Sequence, residues 1–186
     1  MQHSRWFRFL LLASCFLMAE VFVFSSLDFL HAQTLNQNLG PSGLPLPRFA
    51  SIKPTRVNVR VGPGSDYAII FTYKKQGLPI EIIQEYDQWR KIRDAEGDEG
   101  WVYQSLLSGK RTAITIPWQK DKTKRLILRK SPADNAEVVA EVEPNVIGNI
   151  RHCNGYWCEL NINNIRGWVY QSQLWGIYPD EKINSW

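Results

Sequence analysis

Few residues in this chain have the chemistry of a catalyst. Beyond residue 32 there is one histidine, His152, and there are two cysteines, Cys153 and Cys158. His152 adjoins Cys153, but neighbours along a strand point to opposite faces, so the two do not meet as a thiol–imidazole dyad. Glu96 and Asp98 fall in the turn Glu96-Gly97-Asp98-Glu99 and read as solvated loop charges rather than general acid and base. A hydrolase needs a nucleophile, a base and an orienting group within reach of one another. With one histidine the supply is poor, and the chain reads as a non-enzyme. No second Cys or His pair completes the four ligands of a zinc site, so neither metal nor cofactor is expected.

The cysteines suit a different chemistry. Cys-Asn-Gly-Tyr-Trp-Cys places Cys153 and Cys158 on either side of a turn, and in an oxidising compartment that spacing suggests a cross-hairpin disulfide. Two turns are open. A two-residue turn at Asn154-Gly155, a strong hairpin signal, sets Cys153 opposite Tyr156. A four-residue loop sets the two cysteines opposite each other, within bridging distance.

An oxidising compartment is what the N-terminus implies. Residues 1–8 carry Arg5 and Arg8, and an apolar stretch from Phe9 to about Leu27, interrupted by Glu20, leads to Ala32. This is the pattern of a secretory signal over 1–32 and predicts a periplasmic or secreted protein. Two alternatives stand beside it. An uncleaved anchor would bury Glu20 near mid-membrane at about 2–3 kcal/mol, and Leu12-Ala13-Ser14-Cys15 resembles a lipoprotein processing box. Residues 33–50, rich in Pro, Gly and Asn without periodicity, read as a flexible linker.

The net charge is +4 over 186 residues, with both signs interspersed. Arg90-Lys91-Ile92-Arg93-Asp94-Ala95-Glu96-Gly97-Asp98-Glu99 is typical and favours a mixed solvated surface over a nucleic-acid stripe. Eight Trp, seven Tyr and eight Phe are a generous aromatic supply. Such rings serve a small domain as core and as binding surface.

The elements that carry these residues are organised as a repeat. Gly100-Trp101-Val102-Tyr103-Gln104-Ser105 recurs unchanged as Gly167-Trp168-Val169-Tyr170-Gln171-Ser172. Trp89 matches Trp157, Pro63 matches Pro132, and Val59-Arg60 matches Leu128-Arg129. Two copies of one unit of about 60 residues follow. Within each copy the segments are short, β-branched or aromatic, and bounded by turn residues, which predicts a sandwich or small barrel.

Asn58-Val59-Arg60-Val61-Gly62-Pro63-Gly64-Ser65, with Trp89 and then Gly100-Trp101-Val102, resembles the bacterial SH3 domain family. The second unit is a degenerate copy: Lys130-Ser131-Pro132-Ala133 lacks both loop glycines. The resemblance covers residues 51–177. It implies an all-β chain of two tandem SH3-like barrels, 51–116 and 117–180, followed by a tail at 181–186. Each barrel would hold five or six short antiparallel strands, with a 3₁₀ turn before the last. Lys110 to Ile116 is read as the final strand of the first unit. The resemblance also implies recognition of a cell-wall peptide or peptidoglycan, or an adaptor role toward another envelope protein. Nucleic acid is not an expected partner, and membrane contact is expected only through the N-terminal segment.

In the repeated block Val102 and Val169 are the natural core residues. Trp101 with Tyr103, and Trp168 with Tyr170, would then line outer faces as ligand shelves, or else cover barrel ends. Tyr67, Tyr73 and Trp89 are further groove candidates in the first unit, where the Gly-Pro-Gly loop is intact. Those glycines are expected to serve a turn with unusual backbone angles, or else a long loop that walls a ligand groove. Trp118 and Trp175, which have no counterparts in the other unit, are expected between the units.

Overall fold

The computed structural model describes residues 38–184. The expected signal over 1–32, its Cys15 alternative and the first residues of the expected linker, 33–37, lie outside the described residues. Among the described residues no helix is long and apolar enough to cross a membrane.

The chain folds as two antiparallel sheets with the same strand order. The first contains β1 (Arg48–Ile52), β2 (Val57–Arg60), β3 (Ile69–Tyr73), β4 (Pro79–Tyr86), β5 (Trp89–Arg93), β6 (Glu99–Tyr103) and β7 (Leu107–Ser108), arranged β3-β2-β6-β5-β4-β1-β7. The second contains β8 (Thr112–Thr115), β9 (Leu126–Arg129), β10 (Val138–Val142), β11 (Ile147–Asn154), β12 (Trp157–Ile162), β13 (Ile165–Tyr170) and β14 (Leu174–Trp175), arranged β10-β9-β13-β12-β11-β8-β14. A final strand, β15 (Lys182–Asn184), pairs with β11. The all-β tandem architecture expected from the repeat is present. So are the 3₁₀ turns, Gln104–Leu106 before β7 and Gln171–Gln173 before β14.

Strand positions differ from expectation in three places. Arg48–Ile52 falls partly in the expected linker but pairs with both β4 and β7. Its alternation is hidden because it follows directly on a Pro-rich stretch. Thr112–Thr115, expected at the end of the first unit, pairs with β11 and β14 and opens the second sheet. Each repeat thus begins one strand earlier than its motif, giving seven strands rather than five or six. The expected tail at 181–186 contributes β15. Trp175 packs edge-on against Phe49 at 5.1 Å between the repeats. Trp118 does not: it stands 57% exposed in the connection.

The cores follow the alternation. Val59, Ile80, Ile92 and Val102 are fully buried in the first repeat, and Leu126, Leu128, Leu160 and Val169 in the second. Burying each such side chain stabilises the fold by roughly 1.5–3 kcal/mol. The repeated Gly-Trp-Val block has a steric cause. A Cβ on Gly100 would stand 2.4 Å from Val59 Cγ1, and one on Gly167 would stand 2.6 Å from Leu128 Cβ. β2 and β9 therefore cross β6 and β13 at glycine, which closes each barrel through single pairs, Arg60↔Trp101 and Arg129↔Trp168.

The long hairpins β4–β5 and β11–β12 carry an irregularity at the same place, between Ile82 and Gln84 and between Ile150 and His152. Near the tips the two repeats solve one problem in different ways. Cys153 faces Cys158 in register, and they form a disulfide. The turn sits at Gly155-Tyr156, not Asn154-Gly155, because Gly155 takes φ +100° and Asn154 Oδ1 accepts the N–H groups of Tyr156 and Trp157. At the matching register of the first repeat stand Glu85 and Arg90. The Glu85 side chain has no exposed surface and its Oε1 lies 3.2 Å from Arg90 Nε. Arg48 and Ser42 also donate to this carboxylate, at 2.6 and 2.8 Å. Burial opposes its ionisation, but the Ser42 amide and hydroxyl and the Arg48 guanidinium outweigh it and hold its pKa below the ordinary value.

Without reductant, Cys153 and Cys158 should both resist alkylation in the native protein, as read by mass spectrometry. The double variant Cys153→Ser/Cys158→Ser should lose about 2 kcal/mol of stability, the entropy of so short a loop. Glu85→Gln strands a buried arginine and should cost about 3–5 kcal/mol at neutral pH. A carboxyl with a lowered pKa gives stability that is present above its ordinary value and lost as pH falls through the lowered one. Denaturant melts of the two proteins should therefore converge only as the pH falls below the ordinary carboxylate range, through the lowered pKa of Glu85.

Candidate functional site

Closure of the first barrel leaves a groove of about 710 Å³ beside β2. β2 and the residue before it supply Arg56, Asn58 and Arg60. The β2–β3 loop supplies Ser65 and Asp66. Trp89 at the start of β5 and Tyr103 at the end of β6 complete the lining. These two residues are partners across the β5–β6 ladder, and their rings meet edge to face at 5.5 Å. Tyr103 is 39% exposed. The 3₁₀ turn behind it is tied down by a bond from the Gln104 amide to Gln88 O at 2.9 Å and a side-chain bond between the same two glutamines.

The Gly-Pro-Gly loop is held differently from expectation. Neither Gly62 nor Gly64 has a left-handed backbone. Their lack of a side chain instead makes room for Tyr67. A Cβ on Gly62 would lie 2.4 Å from the Tyr67 ring, and one on Gly64 3.1 Å from it. Arg60 Nη1 then donates to Tyr67 O at 2.6 Å and fastens the loop to β2. In the second repeat Arg129 Nη1 donates to Ala136 O at 3.0 Å, so Ala136 stands where Tyr67 does. That repeat lacks the tyrosine and, with Ser131 and Ala133, both glycines. The ring and the two glycines are one device, present or absent together.

The other candidates fall elsewhere. Tyr73 packs on Phe71 at 5.2 Å and donates to Asp94 at 2.9 Å. Burial first, then the Asp94 carboxylate, push its hydroxyl well above the ordinary tyrosine range, so it stays protonated as a donor. Trp101 is only 9% exposed and offers little surface, although Val102 takes the core position beside it. Trp168 is half-buried, edge-on to His152 at 5.6 Å. His152 and Cys153 face opposite ways: the imidazole meets Trp168 while Cys153 is wholly in the core.

At the groove-equivalent position of the second repeat the rings close on themselves. Tyr170 stacks on Trp157 at 4.0 Å with planes 25° apart, and its hydroxyl bonds Asp134 from the degenerate loop. Trp157 is 6% exposed, against a half-buried Trp89. The groove therefore brings together Trp89 and Tyr103, with Tyr67 supporting its loop. Sequence reasoning offered the loop bearing Ser65 and Asp66 as a groove wall and missed Arg56, Asn58 and Arg60 as lining. Among the described residues no group of three or more His, Cys, Asp or Glu is placed to hold a metal ion.

A family model for the bacterial SH3 domain matches residues 53–109 and 122–176, together more than half of the chain. A protein of Bacillus subtilis (strain 168) named "Putative N-acetylmuramoyl-L-alanine amidase YrvJ" is 27% identical over 125 residues. That match takes in 64% of this chain and 24% of the relative, so the chain spans about a quarter of that protein's length. Among solved structures, NlpC2 from Trichomonas vaginalis aligns with 69% of this chain and 48% of its own, at 10% identity and a TM-score of 0.31. An NlpC/P60 family protein from Bacillus cereus ATCC 10987 aligns with 70% of this chain and 57% of its own, at 11% identity and a TM-score of 0.31.

The seating of Tyr67 makes a double-mutant cycle informative. Gly62→Ala alone should cost about 1–3 kcal/mol by overpacking. In a Tyr67→Ala background the same change should be close to neutral. The coupling between the two sites, measured by denaturant melts, should therefore exceed about 1 kcal/mol.

Proposed function

The chain belongs to the bacterial SH3 domain family, and from that premise we propose that it is a non-catalytic binding module of the cell envelope whose first repeat recognises a cell-wall peptide. The observation that carries this reading is the groove and its mixture of groups. Trp89 and Tyr103 give aromatic rings, Arg56 and Arg60 give cations from β2 and the residue before it, and Asp66 gives a carboxylate on the loop. A short peptide with a free carboxylate and a free amine matches both charges, and the rings take its apolar atoms. The likeness to part of an amidase-named protein supports the wall as the place where the ligand is found. An extracytoplasmic location is part of the same proposal.

The second repeat, with Tyr170 locked between Trp157 and Asp134, serves as a folded partner of the first rather than a second groove. An adaptor role is the rival reading. It is favoured by Ile69 and Ile70 on edge strand β3 and Val138 and Val139 on edge strand β10, all between 42% and 49% exposed. Exposed apolar edges suit strand addition by another protein.

Sedimentation with isolated cell wall separates these. The purified protein should co-sediment, and Trp89→Ala or Tyr103→Ala should weaken binding at least tenfold. Trp168→Ala should change it less than twofold. No sedimentation of the wild type above background would leave the adaptor reading. Release of soluble fragments from peptidoglycan would overturn the non-catalytic one.

A further inference from the structure

A second cleft, of about 590 Å³, lies where the two repeats meet. From this cleft we infer a binding site for an oxyanion-bearing ligand, distinct from the groove of the first repeat and independent of the reading given to it.

Three lysines line the cleft: Lys53 after β1, Lys75 in the β3–β4 turn and Lys110 in the connection between repeats. No aspartate or glutamate lines it. That is unusual for this molecule. Elsewhere Lys91 pairs with Glu99, Arg93 with Glu81, Arg111 with Glu181 and Lys130 with Glu137. Among the described residues none of the three cleft lysines forms a salt bridge, and only Lys75 has a bond from its ammonium, to Asn145 O at 3.3 Å across the junction. Cations gathered without a counter-charge repel one another, so the arrangement adds nothing to folding. It does create a positive potential in a concave site at an interface, the setting in which ligand sites occur.

The polar groups between the lysines complete the case. Asn149 and Asn163 also line the cleft, and the side-chain amide of an asparagine carries two N–H donors that an oxyanion accepts from. Thr112 also lines it, is 3% exposed, and its hydroxyl has no hydrogen-bond partner among the described residues.

The cleft is also rigidly framed. Ser51 Oγ donates to Lys110 O at 2.8 Å, Gln76 Nε2 to Lys53 O at 2.9 Å, and the Lys110 amide to Ser108 Oγ at 3.1 Å. The backbone under the lysines is thus fixed although the ammonium groups reach into solvent. Nearby, Phe49 packs on Trp175 and Tyr178 at 5.1 and 4.7 Å, and Tyr178 donates to Glu81 at 2.8 Å. These contacts hold the repeats together and keep the two sides of the cleft at one spacing. Carboxylate and phosphate groups both fit point-charge ammonium donors flanked by amides.

Isothermal titration of the protein with tripolyphosphate and, separately, with citrate tests the site at low salt. Saturable binding of at least one is expected. Lys53→Gln/Lys75→Gln/Lys110→Gln should weaken it at least tenfold. A control of equal charge loss in the connection, Lys120→Gln/Lys122→Gln/Lys124→Gln, should change it less than threefold. Binding of tripolyphosphate alone assigns the site to phosphate, and binding of citrate alone to carboxylate. Equal weakening in both triple variants would mean that net charge alone attracts the anion and would overturn the proposal. So would the absence of saturable binding in either titration. Retained binding of wall by the cleft variant, with loss of anion binding, separates this site from the groove.

Discussion

Strand β2 approaches β6 so closely that a Cβ at Gly100 would stand 2.4 Å from Val59 Cγ1. Closure of the first barrel depends on that contact. With glycine there, Arg60 can pair with Trp101. β2 then comes to line the groove together with Trp89 and Tyr103. The same approach at Gly167 closes the second barrel. Identical backbone closure with different loops gives an open groove in one repeat and stacked rings in the other.

The two repeats also show how one backbone position accepts unlike chemistry. Glu85–Arg90 and Cys153–Cys158 occupy the same register of the same hairpin. The disulfide needs no solvating partners and sits in the core. The ion pair loses its water and needs Arg48 and Ser42 to satisfy the carboxylate. Those partners come from the chain preceding the first motif, so that segment is bound to its barrel. In the second repeat β15 occupies the corresponding edge of β11. Each hairpin is thus flanked by a terminal segment, which leaves less of its edge open to other chains.

Much of this was legible in the sequence, for identifiable reasons. Alternation at Val57-Asn58-Val59 and the repeated Gly-Trp-Val block report local periodicity and a steric requirement, both of which depend on few residues. The position of β1 was not legible, because a short strand beside prolines carries almost no pattern, whereas β8 was legible as a strand but its place in the second sheet is set by long-range pairing with β11 and β14. Trp89 and Tyr103 were visible as aromatics. The lining at Arg56, Asn58 and Arg60 was not, since these residues become neighbours of the rings only when the sheet curls. The inward Val102 was readable from alternation, whereas the cover over Trp101 is a tertiary property. The loop glycines looked like turn residues and proved to be a seat for Tyr67, a contact that only coordinates reveal.

The central claim is that the first groove, and not its closed counterpart, receives the wall ligand. Its most direct test is an NMR titration of the ¹⁵N-labelled protein with a soluble wall-derived peptide bearing a free amine and a free carboxylate. The account predicts saturable shifts of the Trp89 indole N–H and of the Asn58, Asp66 and Tyr103 amides, with the Trp157 and Trp168 indoles unmoved. Saturable shifts confined to Trp157, Trp168 and Tyr170, or none at Trp89 at saturation, would contradict it.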